Sequence, residues 1–301
     1  MRIGERSSRD RHNLDIVLHW ALQRAGAARP IRFPVAYVEL LRSCLETTRL
    51  SVVEVKRDTS NAGDLPTRRF SSVLEALRQV PPVELATAEA IAVIADSYRG
   101  KLAPIELRDW TGDVRSHFEI SSSEGIKGRI LTTVVRFTRS SNCLELGTAY
   151  GMSAIFILEA LRAQGEDGCL TTLEGYTPLF SMSSPLLTDR YGSRVACRLG
   201  STQETLPGLV GTLGPLDLLF HDAGHSRDDY VRDFQAVLPR LSDGAVVLID
   251  DIRWESGRFV QGDPRCYEGW LELVGHPRVR RAAEINETMG ALLLGAVGAS
   301  H

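Results

Sequence analysis

The segment from Asn142 to Leu158 constrains the fold of this 301-residue chain more than any other segment. It begins with an apolar run typical of a buried strand, continues through the turn Gly147-Thr-Ala-Tyr-Gly151, and then becomes apolar at helical spacing. The two glycines favour a tight turn and a close approach of the backbone to a ligand. A strand, a glycine turn and a helix in this order are typical of the ligand-binding end of a doubly wound α/β fold.

The glycine spacing argues against a dinucleotide-binding turn. Gly147 and Gly151 are four residues apart, and no third glycine follows at the offset that the G-x-G-x-x-G pattern requires. An acidic residue, Glu145, stands at the end of the strand before the turn. A packed strand, turn and helix in another kind of α/β protein is the alternative interpretation of this segment alone.

Alternating strands and helices continue from about residue 116 and predict a mostly parallel sheet. Helices are predicted over 125–137 and 229–241. Strands are predicted over 143–146, 169–173, 194–199, 216–220 and 245–249, with a closing antiparallel pair over 279–285 and 289–294. We therefore divide the chain into an N-terminal region, residues 1–115, and an α/β domain, residues 116–301.

The N-terminal region has a different pattern. It is predicted to be mostly helical, with helices over 15–24, 34–42, 72–78 and 87–98 and a loop over 58–66. It carries no catalytic motif. We expect it to act as a cap or a dimerisation segment, and a substrate-selecting lid is the alternative.

Composition excludes several classes of protein. The net charge is −3, which favours neither nucleic acid nor a membrane surface as a partner. No apolar run reaches the roughly eighteen residues of a membrane-spanning helix, and the polar N-terminus lacks a signal segment. The five cysteines are scattered without a C-x-x-C pair, so we expect reduced thiols in a cytoplasmic protein.

Polar residues follow every predicted parallel strand, at the edge of the sheet where ligands bind in open α/β folds. These residues are Glu145, Glu174, Ser201, Asp222, Asp250 and Asp251. The three aspartates would converge where two neighbouring strands end, and carboxylates this close repel one another unless a cation lies between them. Their oxygen atoms suit Mg²⁺. A capping or loop role without metal is the alternative.

These motifs resemble the class I S-adenosylmethionine (SAM)-dependent methyltransferases, and among them the metal-dependent O-methyltransferases of the catechol and caffeoyl-CoA type. The resemblance covers about residues 116–295. It rests on Glu145 with its glycine turn, on Gly200-Ser-Thr-Gln-Glu-Thr-Leu-Pro207, on Asp222 with the pair Asp250-Asp251, and on Ser121-Ser-Ser-Glu-Gly125. It implies a seven-stranded, mostly parallel Rossmann-like sheet with a terminal antiparallel hairpin, beside the helical N-terminal region.

The resemblance also implies binding residues. Glu174 would accept the ribose hydroxyls of SAM, and Thr202 and Gln203 would flank its adenine ring. The other expected cofactor contacts are Glu145, Gly147, Thr148, Tyr150, Gly151, Ser153 and Asp222. Mg²⁺ would be held by Asp222, Asp250 and Asp251, although the family has asparagine at the last of these positions.

His225 stands three residues after Asp222, where the catechol-type family has a lysine. An imidazole can accept a proton at physiological pH, so we expect His225 and Asp222 to be the catalytic residues. A role for His225 beside the metal, or as the cap of the following helix, is the alternative. We expect His221 to be a packing residue, and Arg253 and Trp254 to wall the acceptor pocket.

The sequence therefore predicts a SAM-dependent, Mg²⁺-assisted O-methyltransferase for a small hydroxylated molecule, such as a catechol-like diol or a sugar hydroxyl. A role in natural-product biosynthesis and a homodimer are further expectations. A metal-independent O- or N-methyltransferase and a non-catalytic partner subunit with the same fold are the nearest alternatives. A nicotinamide-dependent oxidoreductase is disfavoured by the missing third glycine, and an RNA methyltransferase by the lack of a basic patch.

Overall fold

The computed structural model describes residues 48–57, 64–99, 101, 104–107, 110–114, 117–118, 125–165, 167–253 and 265–296. The predicted helices over 15–24 and 34–42 lie outside these ranges, as do Trp254 and most of the segment that begins at Ser121. No helix within the described ranges combines the length and the apolar composition that crossing a membrane requires.

An eight-stranded sheet forms the centre of the described fold. Its strands, numbered along the chain, are β1 (Val52–Arg57), β4 (Asn142–Leu146), β5 (Cys169–Glu174), β6 (Val195–Leu199), β7 (Leu216–His221), β8 (Leu241–Ile249), β9 (Val279–Ile285) and β10 (Met289–Leu294). Their spatial order is β1-β9-β10-β8-β7-β4-β5-β6. A separate hairpin joins β2 (Pro104–Leu107) to β3 (Trp110–Asp113).

The pairing confirms the predicted fold class. Strands β8, β7, β4, β5 and β6 are parallel, while β9 and β10 form an antiparallel hairpin against β8. The chain leaves β4 toward β5 and β6, and then returns to the other side of β4 to form β7 and β8. This reversal of strand order lies between β4 and β7, which is where open α/β sheets bind their ligands.

The sheet has one strand more than the seven that the resemblance implied. β1 lies within the N-terminal region that was predicted to be mostly helical, and it pairs antiparallel with β9 at the edge of the sheet. Apolar and charged residues alternate over only six positions there, a pattern too short to stand out in the sequence. The division of the chain at residue 115 stays a prediction, although this strand belongs to the same sheet as the α/β domain.

Helices cover both faces of the sheet. They are α1 (Leu65–Arg78), α2 (Leu85–Arg99), α3 (Gly125–Thr138), α4 (Met152–Ala163), α5 (Thr177–Tyr191), α6 (Thr202–Val210), α7 (Arg227–Val237) and α8 (Cys266–Gly275). One apolar core joins the sheet to α1–α5, and a second core on the opposite face joins it to α6–α8. The predicted helices over 87–98 and 125–137 are confirmed with small changes at their ends.

Other helix boundaries differ from the prediction because of local signals. α1 begins seven residues before the predicted helix, since the Asp64 side chain caps it by accepting a hydrogen bond from the Thr67 N–H at 2.8 Å. α7 ends at Val237 rather than at 241, because Pro239 lies in the 3₁₀ turn that follows. The prediction missed α5 and α6, which contain Pro185 and Pro207 within their spans.

Candidate active site

The ends of the parallel strands form a continuous rim held by backbone hydrogen bonds. Each bond joins the residue that leaves one strand to the end of its neighbour. The donor and acceptor pairs are Asp250 N to His221 O at 2.9 Å, Asp222 N to Leu146 O at 2.8 Å, Gly147 N to Leu173 O at 2.9 Å, and Gly200 N to Glu174 O at 2.9 Å. The polar residues that the sequence placed at strand ends are therefore brought to one edge of the sheet.

The glycine turn lies at the middle of this rim, between β4 and α4. Gly147 has a φ of 95° and Gly151 a φ of 83°, both in the left-handed region that favours glycine. A Cβ atom on Gly147 would collide with the backbone carbonyl of Asp222. Gly147 is therefore required for the turn to pass this close to the end of β7.

Glu174 ties the end of β5 to the glycine turn. Its Oε2 accepts a hydrogen bond from the Ala149 N–H at 2.7 Å, and its Oε1 accepts one from the Tyr176 N–H at 2.7 Å. Burial raises the pKa of Glu174, while the backbone N–H groups favour the ionised form. Each carboxylate oxygen has a second lone pair, so the group fits the predicted contact with two ribose hydroxyls.

Glu145 lies beneath the turn rather than beside open space. Its side chain is fully buried, its Oε2 accepts a hydrogen bond from the Thr172 hydroxyl, and its Oε1 has no hydrogen-bond partner among the residues that the structure describes. Burial raises the pKa of Glu145 to about 7, although hydrogen bonds from Ser153 and Thr172 oppose this rise. Thr148 and Ser153 are buried as well. Their direct contact with a cofactor stays a prediction.

The Tyr150 side chain points into the core between the turn and the N-terminal region. Its ring packs against Tyr98 and Phe118, with centroids 4.9 Å and 5.3 Å away, and its hydroxyl lies 2.9 Å from His117 Nδ1. The Tyr98 hydroxyl donates to the backbone carbonyl of Tyr150 at 3.1 Å. The side chain of Tyr150 is thus a packing group, and the predicted contact of Tyr150 with a cofactor would be made by its backbone.

The segment predicted to flank adenine follows β6. Ser201 caps α6 by accepting a hydrogen bond from the Glu204 N–H. Thr202 accepts a hydrogen bond from Arg232 at 3.0 Å, and Gln203 is exposed. Neither residue is part of the core, so both are available at the rim.

Three of the predicted functional residues converge after β7 and β8. Ligand atoms of Asp222, His225 and Asp251 all lie within 4.8 Å of one another. His225 Nε2 is 3.9 Å from Asp222 Oδ1, and His225 Nδ1 is 3.9 Å from Asp251 Oδ2. Two carboxylates and one imidazole are a donor set that fits a divalent cation. Asp250, predicted as the third metal ligand, is not in this group.

The surroundings of His225 exclude one of its predicted roles, that of a helix cap. Ser226, not His225, is the N-cap of α7, so the capping alternative is wrong. Burial lowers the pKa of His225 to about 4, against the effect of Asp250, and the imidazole is therefore neutral near pH 7. A neutral imidazole can accept a proton or donate a lone pair to a metal.

Lys127 also belongs to this site, although the sequence did not predict it. It lies in the first turn of α3, and its ammonium forms an ion pair with Asp250 and lies 3.4 Å from Asp222 Oδ2. Burial opposes the charge, but Asp222, Asp250 and Asp251 raise the pKa of Lys127 above its usual range. A lysine among apolar residues at the start of a helix was the signal available in the sequence.

Burial also raises the pKa of Asp222. The Lys127 ammonium opposes this rise, and the negative charges of Asp250 and Asp251 add to it. A positive charge close to Asp222 therefore favours the ionised form of its carboxyl group.

His221 and Arg253 occupy supporting positions. The prediction that His221 is a packing residue is confirmed, because it is fully buried with its Nε2 3.0 Å from Asp233 Oδ2. Arg253 pairs with Glu284 at 2.7 Å and stacks on Tyr267, so its place in an acceptor pocket stays a prediction.

Tyr230 of α7 holds the backbone that follows β8. Its hydroxyl donates to the carbonyl of Asp250 at 2.8 Å.

Comparisons with known proteins agree with this geometry. Residues 144–252, which include the glycine turn and all three aspartates, match a family model described as a methyltransferase domain. A catechol O-methyltransferase from Niastella koreensis is 33% identical over 129 residues, which is 42% of this chain and 56% of that protein. The match thus spans little more than half the length of that relative.

Solved O-methyltransferase structures share the fold. One from Bacillus cereus in complex with SAH has a TM-score of 0.52 at 19% identity, covering 70% of this chain and 92% of its own. One from Streptomyces achromogenes in complex with SAM has a TM-score of 0.52 at 20% identity, and the match covers 77% of this chain and 100% of that one. The predicted resemblance is confirmed: the chain has the fold of the O-methyltransferases, and its residues 144–252 are similar to a methyltransferase domain.

Proposed function

We propose that this chain is a SAM-dependent O-methyltransferase that acts on a small hydroxylated molecule. The observation that carries the proposal is one continuous rim, on which Glu174 and the glycine turn lie next to the group formed by Asp222, His225 and Asp251. The similarity to a catechol O-methyltransferase supports a catechol-like diol as the acceptor, and a sugar hydroxyl offers the same chemistry.

The cofactor would lie along this rim. Glu174 would accept the ribose hydroxyls, while Thr202 and Gln203 would approach the adenine ring. Gly147 allows the backbone to come close to the ligand. The side chains of four predicted contact residues are buried, which indicates that they support the turn by packing beneath it. These residues are Glu145, Thr148, Tyr150 and Ser153.

A divalent cation, which we expect to be Mg²⁺, would be held by the carboxylates of Asp222 and Asp251, beside the imidazole of His225. When bound, such an ion lowers the pKa of an acceptor hydroxyl and fixes its position. Asp250 lies outside this group and forms an ion pair with Lys127, so its direct binding of the metal stays a prediction.

The chain's own groups are suited to move the acceptor proton. His225 is neutral near pH 7 and can accept the proton of the acceptor hydroxyl on its imidazole. Burial disfavours the imidazolium that would form, and the negative charges of Asp250 and Asp229 oppose this effect. SAM would supply the methyl group and leave as S-adenosylhomocysteine, and the rim would hold the acceptor oxygen close to the methyl carbon.

Transfer of a labelled methyl group from SAM to a panel of vicinal diols and sugars tests this proposal. We expect turnover by the wild type and a loss of about 10²-fold or more in kcat for His225→Gln, with SAM affinity retained. His276→Gln is the matched control, since His276 lies at the C-terminal end of α8, packs against the ring of Phe234 and is not one of the residues of the site. Equal kcat values for His225→Gln and the wild type would remove His225 from the mechanism.

A metal-independent O- or N-methyltransferase is the second candidate. The Lys127 ammonium already supplies one positive charge to the carboxylates, which favours this alternative. Turnover in EDTA equal to turnover in Mg²⁺ would establish it. A homodimer, a cytoplasmic location and a role in biosynthesis stay predictions.

A further inference from the structure

Lys127 is held in the carboxylate cluster by the packing of its own helix. The next residue, Gly128, lies against the ring of Phe156 in α4, where a Cβ atom would collide with the ring. This contact fixes the first turn of α3 and therefore the origin of the Lys127 side chain. Both of its partners are sheltered from water, because the side chains of Asp250 and Asp222 are only 2% and 19% exposed.

The cluster carries more negative charge than one ammonium can neutralise. When Asp222, Asp250 and Asp251 are all ionised, Lys127 leaves them with two uncompensated negative charges, which is the charge that one divalent cation balances. Lys127 contacts Asp222 and Asp250, while the carboxylates of the candidate metal site are those of Asp222 and Asp251. Asp222 alone belongs to both sets.

We propose that Lys127 is the internal counter-cation of this cluster: it neutralises Asp250 permanently and competes with a divalent cation for Asp222. This inference rests on the divalent-cation site of the proposed function and adds a residue that sets its affinity. Asp250 is then a partner of Lys127 rather than a direct ligand of the metal. An ammonium repels a cation that binds a few ångströms away, so its removal strengthens metal binding.

Calorimetric titration of the full chain with MnCl₂ and MgCl₂, without SAM or acceptor, tests the proposal. We expect Lys127→Met to bind either ion at least about tenfold more tightly than the wild type, because the competing charge is gone. Lys127→Arg keeps the charge and should stay within about threefold. Arg136→Met is the matched control, because it removes a positive charge from the exposed far end of the same helix.

Thermal unfolding gives a second measurement. In EDTA, Lys127→Met leaves buried carboxylates without their cation, so its Tm should fall below that of the wild type. Added Mn²⁺ should then raise the Tm of the variant by more than it raises that of the wild type. If Lys127→Met does not fold, the comparison is made between Asp251→Asn and the double variant Lys127→Met/Asp251→Asn, in which the double variant should bind Mn²⁺ more tightly.

Equal or weaker Mn²⁺ binding after loss of Lys127 would overturn the proposal, and so would the absence of metal binding in both proteins. Neither result depends on methyl transfer. SAM binding measured separately in EDTA distinguishes the two failures, because a protein that binds SAM without metal keeps the proposed fold and cofactor while losing the counter-cation role of Lys127.

Discussion

Glu145 combines full burial with an incomplete set of hydrogen bonds. Its pKa is raised to about 7 by burial, whereas an unfolded glutamate titrates near 4.3. The folded protein therefore holds the proton more tightly than the unfolded chain between these two pH values. The stability that the protonated group contributes is fully present below about pH 4, is lost as the pH rises toward 7, and stays lost above that.

Glu145→Gln should remove the loss of stability that accompanies the ionisation of Glu145. The amide cannot ionise, so the variant should gain up to about 3 kcal/mol in unfolding free energy relative to the wild type between pH 5 and pH 8. Urea unfolding at the two pH values measures the difference. Glu159→Gln is the control, because that buried carboxylate pairs with Arg162 and Arg190 and its replacement should bring no gain at pH 8. A gain that is the same at both pH values would contradict the assignment.

Single residues differ in how far the sequence could predict them. Asp222, Asp250 and Asp251 were predictable because each follows a strand, and parallel strands end at one edge of a sheet. The ion pair between Lys127 and Asp250 was not, because it joins residues from distant parts of the chain. No local pattern shows which lysine reaches a given carboxylate.

At the scale of elements, helix α2 supports the glycine turn. The Tyr98 hydroxyl donates to the carbonyl of Tyr150, next to Ala149 and Gly151, whose φ angles of 43° and 83° lie in the left-handed region. Such a conformation is costly for Ala149 and persists only where its surroundings hold it. The hydrogen bond from α2 is one of these restraints, so the N-terminal region contributes to the shape of the glycine turn.

Tyr98→Phe should weaken SAM binding by about two- to tenfold, the equivalent of one hydrogen bond, while changing the Tm only slightly. Tyr191→Phe is the matched control, because the Tyr191 hydroxyl is also buried but bonds Glu159 at 2.9 Å, away from the turn. Calorimetry with SAM compares the two variants. An equal loss of affinity in both, or none in Tyr98→Phe, would show that α2 does not support the turn.

The sequence predicted most parallel strands and the closing hairpin well, because their apolar runs are bounded by turns and polar residues. It missed the helices α5, α6 and α8, the strand β1 and the β2–β3 hairpin. Proline within α5 and α6 and the short alternation of β1 weaken the local pattern, and tertiary packing determines these elements instead.

At the scale of the whole molecule, buried arginines join the N-terminal region to the α/β domain. Arg129 of α3 is 1% exposed and donates to the carbonyls of Pro81 and Val80 and to the Thr48 hydroxyl. Arg281 of β9 pairs with Glu54 of β1 at 2.6 Å. The described part of the N-terminal region is therefore packed into the same fold as the sheet.

Arg129→Met should lower the unfolding free energy by about 2–4 kcal/mol, because it removes three hydrogen bonds that a buried side chain makes to the N-terminal region. Arg136→Met, on the same helix, removes an exposed ion pair with Glu84 and should change it by no more than about 0.5 kcal/mol. Urea unfolding of both variants measures the contrast. Similar losses in the two proteins would mean that Arg129 does not hold the N-terminal region in place.

Calorimetric titration with SAM, in parallel with NAD⁺, tests the central claim most directly. We predict that the wild type binds SAM and not NAD⁺, and that Glu174→Gln weakens SAM binding at least about tenfold because the ribose loses a charged acceptor. Binding of NAD⁺ without SAM, or of neither, would contradict the assignment of this rim as the cofactor site of a methyltransferase.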